Sequence, residues 1–90
     1  AITGSASMSG IKITTGNTTA TGACSSTPGT IVYYDGTSIS NGTVIYTDSV
    51  SAGTSASTNK FNGSGQWYKF ENNYRAQIST TGVVSNYASC

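Results

Sequence analysis

The clearest alternation in the chain lies in its last third. Gln66-Trp67-Tyr68-Lys69-Phe70-Glu71 places Trp67 and Lys69 on one face of an extended strand and Tyr68 and Phe70 on the other. Asn72-Asn73 follow, both tolerant of positive φ, and Tyr74-Arg75-Ala76-Gln77-Ile78-Ser79 returns. That pattern predicts a hairpin with a two-residue primed turn. Thr30-Ile31-Val32-Tyr33-Tyr34 predicts another strand, ended by Asp35-Gly36. Thr43-Val44-Ile45-Tyr46-Thr47 predicts a further one after the Asn41-Gly42 turn. Ser26-Thr27-Pro28-Gly29, Asn62-Gly63-Ser64-Gly65 and Thr80-Thr81-Gly82 read as turns, and Val83-Val84-Ser85-Asn86-Tyr87 as a closing strand. No stretch shows a helical period.

The segment before Cys24 is different in kind. It holds no aromatic residue, and its only large apolar side chains are Ile2, Met8, Ile11 and Ile13. Ile11-Lys12-Ile13-Thr14 alternates briefly; the remainder has too little apolar surface to fold alone. The expectation is therefore an extended arm over 1–23 and a β domain over 24–90. The fold class is all-β: a small antiparallel meander or sandwich-like domain of about five short strands, preceded by that N-terminal arm. Residues 49–59, almost entirely Ser, Thr, Ala and Gly, read as a mobile loop. The expected core face carries Tyr68, Phe70, Ala76 and Ile78, joined by Ile31, Val44, Tyr46 and Val84. A register error of one residue would exchange the faces.

Composition narrows the function. Ser, Thr, Gly and Asn make up 48 of the 90 residues, and only 8% of the chain is charged, against roughly 25% in ordinary soluble domains. Nine aromatic residues argue for folding rather than disorder. A net charge of +1, with the four basic residues well apart in sequence, offers no electrostatic footprint for nucleic acid or an anionic membrane. There is no apolar run long enough to span a bilayer. The opening Ala-Ile-Thr has neither the n-region nor the h-region of a signal peptide and no initiator Met, which fits a processed product, a cloned fragment or an excerpt of a longer chain.

Catalytic tools are scarce. The chain has no His to act as a base near neutral pH. Asp35, Asp48 and Glu71 are its only carboxylates, and Asp35 and Glu71 read as turn and strand-end residues. The expectation is no enzymatic activity, no cofactor and no metal; a calcium site using Asp35 or Asp48 would lack EF-hand spacing. Asn17-Thr18-Thr19, Asn41-Gly42-Thr43 and Asn62-Gly63-Ser64 match the glycosylation pattern, a weak signal in a chain so rich in these residues. A Thr-rich surface would suit ice or sugar binding, but no regular Thr-x-Thr ladder appears.

Two further features bear on function. Cys24 and Cys90 are either two separate buried thiols or a pair; as a pair they would close the β domain, contribute roughly 4 kcal/mol and point to an extracellular setting. Aromatic rings that can pack on sugars, and amides that can bond hydroxyls, are frequent after Cys24. The candidate ligand contacts are Trp67, Tyr33, Tyr34, Tyr68, Asn72 and Asn73, with Tyr74, Gln66 and Gln77 beside them. Each Tyr also has a competing use as core, whereas Trp67 is expected on the outer face.

The run Ala23-Cys24-Ser25-Ser26-Thr27-Pro28-Gly29-Thr30-Ile31-Val32-Tyr33-Tyr34-Asp35-Gly36, then Gly42-Thr43-Val44-Ile45-Tyr46-Thr47-Asp48, resembles a repeat-like module of Flavobacterium-type (Bacteroidota) phage and surface proteins. Phe61-Asn62-Gly63-Ser64-Gly65-Gln66-Trp67-Tyr68-Lys69-Phe70, and Ile78-Ser79-Thr80-Thr81-Gly82-Val83-Val84 through Cys90, continue the likeness over about three quarters of the chain. The Ser49–Asn59 loop departs from it. The resemblance implies a C-terminal cap of a Gly/Ser/Thr-rich virion fibre or adhesin and brings no catalytic residues. Its expected partners are copies of itself, as a trimer, or neighbouring virion or filament proteins, and a cell-surface glycan or protein receptor. The expected location is extracellular, on a virion or a bacterial surface.

Overall fold

The computed structural model describes residues 8–48 and 59–90. Within them the chain forms β1 (Met8–Ile13), α1 (Ala20–Cys24), β2 (Thr30–Asp35), β3 (Ile45–Tyr46), β4 (Gln66–Lys69), β5 (Tyr74–Ile78) and β6 (Val84–Ser89). The strands make two three-stranded antiparallel sheets, ordered β1-β2-β3 and β4-β5-β6. The protein is all-β, as its alternation predicts, with one short helix that the sequence pattern does not reveal. Thr19 caps that helix, its hydroxyl accepting from the Gly22 N–H at 3.0 Å.

The sheets are sewn together at two seams. At the first, residues 12–17 run antiparallel to residues 67–71. Asn17 and Trp67 exchange both backbone hydrogen bonds at 2.9 and 2.8 Å, Thr14 N–H donates to the Lys69 carbonyl at 3.0 Å, and Ile13 bridges Phe70. At the second, Val44 bridges Val83, with Gly42 N–H to the Val84 carbonyl at 2.8 Å and Val84 N–H to the Thr43 carbonyl at 2.9 Å. Strand pairing thus runs from β3 through β2 and β1 to β4, β5 and β6, then back to residues beside β3. The result is a small, partly open barrel, an arrangement that removes most exposed strand edges.

This arrangement corrects the expected domain organisation over residues 8–23. They do not form an arm apart from a domain beginning at Cys24. β1 pairs along its whole length with β2, Ile11 and Ile13 lie in the core, and Ala23 is the buried residue of α1. The segment cannot fold alone, and its own chain supplies the missing partner. Residues 1–7 and 49–58 lie outside the described residues, and with them the start of the expected arm and nearly all of the expected loop.

The core consists of Ile11, Ile13, Val32, Tyr34, Ile39, Ile45, Tyr68, Phe70, Ala76, Ile78 and Val84, with Phe61 and Tyr87 packed against it. Tyr68, Phe70, Ala76, Ile78 and Val84 stand where alternation places them. Ile31, Val44 and Tyr46 do not: Ile31 is 51% exposed and the other two are half-buried. The physical reason is register. Val32 lies opposite Ile11, and Ile45 opposite Tyr34, so the parity of β2 and β3 follows the isoleucines of β1. The buried Thr14 hydroxyl donates to the Thr15 carbonyl at 2.9 Å and accepts from Lys69 N–H at 3.1 Å, so it costs little desolvation.

The β4–β5 connection also differs from expectation. Instead of a two-residue primed turn at Asn72-Asn73, Phe70 N–H bonds the Tyr74 carbonyl and Asn73 N–H bonds the Phe70 carbonyl. This is a three-residue loop over 71–73 in which only Asn73, at φ 68°, takes the left-handed conformation.

Gly63 is the glycine pressed most closely by neighbouring backbone. A Cβ there would meet the Ile78 carbonyl oxygen at 2.3 Å and the Ile78 Cβ at 2.5 Å, while its own N–H bonds the Ser79 carbonyl at 2.9 Å. Gly63→Ala should therefore force β5 outward and cost about 2–3 kcal/mol in urea unfolding. Gly29→Ala, with nothing within 4 Å of the added Cβ, should be neutral or slightly stabilising. Equal effects of the two changes would contradict the β5 approach.

Candidate binding surface

The residues predicted as ligand contacts are not gathered into one site. Tyr34 and Tyr68 are core residues, 8% and 5% exposed, and cannot serve as outward contacts. Tyr68 is held there because its hydroxyl donates to the Gly63 carbonyl at 3.0 Å. Burial raises its pKa above the usual tyrosine value. The native state therefore resists ionisation of Tyr68. That contribution is complete below pH 10 and lost as pH rises through the raised value. Absorbance titration should show Tyr68 ionising above the usual tyrosine value, together with loss of the fold; in Tyr68→Phe that step should be missing.

Tyr33 lies half-buried on the outer face of the first sheet, beside Gly10 and Tyr46 and remote in the barrel order from the β4–β5 face. Asn72 and Asn73 sit at the β4–β5 loop. There Asn72 Nδ2 donates to the Tyr87 hydroxyl at 3.0 Å, and Tyr87 stacks on Tyr74 with centroids 4.8 Å apart. Phe70 meets Tyr87 edge-on from below at 5.9 Å, and Asn41 Oδ1 accepts from Tyr87 N–H at 2.9 Å. The sequence pattern gives Tyr87 no such role, because its neighbours come from two separate parts of the chain, the β4–β5 hairpin and Asn41.

The outer face of the second sheet is more highly organised. Strand alternation turns Trp67 and Lys69 outward on β4, and Arg75 and Gln77 outward on β5. Lys69 lies opposite Arg75, and Trp67 opposite Gln77. Gln66 is half-buried at the start of β4, lying over Gly16. The Arg75 guanidinium carbon stands 5.1 Å from the Trp67 ring centroid, a cation–π arrangement between diagonal neighbours. α1 packs across β4 and β5, and Lys69 Nζ donates to the Cys24 carbonyl at its end, at 3.3 Å.

A bulge completes this face. Between the pairs Arg75–Ala88 and Gln77–Ser85, β6 inserts an extra residue, and Asn86 takes φ 53°. The bulge turns the Asn86 carbonyl toward Arg75, whose Nη1 donates to it. It also aims the Asn86 amide at Gln77 Oε1, 2.6 Å away, while Gln77 Nε2 donates to the Gly65 carbonyl at 3.0 Å. Trp67, Arg75, Gln77 and Asn86 are thus linked to one another on the outer face of the second sheet. The sequence pattern points to Trp67 and Gln77 and gives no role to Arg75 or Asn86. The alternation that placed Arg75 outward was a usable signal, whereas the bulge had none.

The disulfide lies beside this face. Cys24 and Cys90 are bonded, with a Cα–Cα distance of 5.6 Å, tying the end of α1 to the residue following β6. Such a bridge is compatible with an extracellular protein. No helix among the described residues is long and apolar enough to cross a membrane. Compared with known protein families, curated proteins and solved structures, the chain matches none.

Proposed function

We propose that this chain is a non-enzymatic virion structural protein, the terminal domain of a phage tail fibre or head fibre, and that it attaches the particle to its host's surface. The observation that carries this reading is the outer face of the second sheet, where an aromatic ring, a guanidinium and two amides are held in fixed positions. Pre-ordered side chains lose little entropy on contact, and rings and amides are what a surface saccharide or receptor loop engages. A disulfide-closed scaffold suits life outside the cell, and the resemblance over Cys24–Cys90 points to the same setting.

Antibodies against the folded chain should label intact particles, at fibres, without lysis. Labelling only after the particles are broken open would contradict the proposal.

A second reading, a subunit of an extracellular bacterial filament or adhesin, draws on a different feature. The backbone groups of Lys12 that face away from β2 bond Glu71: Glu71 N–H donates to the Lys12 carbonyl at 2.9 Å, and Glu71 Oε2 accepts from Lys12 N–H at 2.7 Å. Alternation turns the Gly10 N–H and carbonyl to that same side, where no strand pairs with them among the described residues. An added strand from a neighbouring subunit would complete the edge. Concentration-dependent association in light scattering, abolished by Gly10→Pro, favours the filament reading; a monodisperse monomer counts against it.

A further inference from the structure

Lys69 and Arg75 face each other directly across β4 and β5, an arrangement of like charges that destabilises a sheet. The chain has only four basic residues, and two of them meet here. Among the described residues no carboxylate bonds either one. Among the described residues Lys69 is offset by the Cys24 carbonyl, and Arg75 by the Trp67 ring and the Asn86 carbonyl. Carbonyls and a ring orient these cations without neutralising them. The bulge at Asn86 holds the guanidinium by Nη1, leaving the rest of its fork without an acceptor among the described residues. A planar fork with free donors is suited to a carboxylate, and the amides of Gln77 and Asn86 lie within the same patch for hydroxyl groups.

We infer that this face is a recognition site for carboxylate-bearing sugars, that is, an acidic surface polysaccharide of the uronate type. Arg75 engages the carboxylate, Lys69 supplies a second positive charge, and the edge of Trp67 not covered by Arg75 packs against the sugar ring. This inference rests on the attachment reading above and gives that reading a ligand class.

The test is a titration of the intact, oxidised chain, followed by two-dimensional NMR, with a short hexuronate oligosaccharide and a neutral oligosaccharide of the same length. The acidic sugar should shift the Trp67 indole, Arg75 Nε–H and Asn86 signals and bind more weakly as salt is raised. The neutral sugar should bind at least about tenfold more weakly. Arg75→Gln should lower affinity for the acidic sugar by about tenfold or more, with Arg75→Lys between it and the parent. The spectrum of each variant reports whether it is folded, and the parent's shift map stands even if a variant is not. Equal binding of both sugars, no binding, or shifts confined to the first sheet would overturn the inference. If the chain still adsorbs to cells in any of these cases, the attachment reading survives and only the ligand class falls. If it does not adsorb, both fall.

Discussion

Replacing Cys24 and Cys90 together with alanine is expected to lower the unfolding free energy by about 4 kcal/mol. The bridge joins residues 66 apart in sequence, so in the denatured chain it closes most of the protein into one loop. By chain entropy a loop of that length restricts the unfolded state by about 4 kcal/mol. A 90-residue domain has only about 5–14 kcal/mol of stability in all, so the loss is a large fraction. Tm should fall by on the order of 15–30 °C. The native contribution is local as well: the bridge pins α1 against β4 and β5, beside the Lys69–Arg75 pair. Urea unfolding of the oxidised and reduced protein measures the difference directly. A loss below about 1 kcal/mol would mean that the barrel seams alone hold the fold.

Phe70→Ala should cost about 3–5 kcal/mol, whereas Ile31→Ala should change stability by about 0.5 kcal/mol or less. Phe70 is fully buried, contacts Tyr87 edge-on at 5.9 Å and bridges Ile13 at the first seam. Removing its ring leaves a cavity where the two sheets meet, with backbone hydrogen bonds on both sides that limit collapse. Ile31 is 51% exposed, so its truncation removes little that folding had buried. The pair tests the face assignment, because the sequence pattern alone expects both residues in the core. Comparable losses would mean that β2 presents the opposite face.

Gln66 to Ile78 alternates polar with apolar, so the β4–β5 hairpin and its inward face could be read from spacing alone. Ile31-Val32-Tyr33-Tyr34 is apolar at every position, so parity was undetermined until β1 paired with it. β1 itself could not be assigned to the barrel, because its partners lie about 20 and 60 residues away and its neighbours are small and polar. Asp35-Gly36, Asn41-Gly42 and Thr81-Gly82 were legible as turns because each glycine takes positive φ, at 103°, 94° and 83°. The five-residue α1 is too short for any periodic signal. The candidate surface was half legible: alternation gave Trp67 and Gln77 their outer positions, but the contact between Arg75 and Asn86 depends on a bulge.

The sparse charge therefore carries more meaning in the fold than along the chain. Lys69 and Arg75 are separated by five residues in sequence and look unrelated there. The hairpin sets them side by side on the face that presents Trp67.

Attachment is tested most directly by competition. Excess oxidised chain is added to target cells before the particles, and the fraction of particles adsorbed is counted. The account predicts a dose-dependent fall in adsorption, with folded Trp67→Ala a much weaker competitor. Undiminished adsorption at saturating chain, or a fall identical for Trp67→Ala, would contradict it.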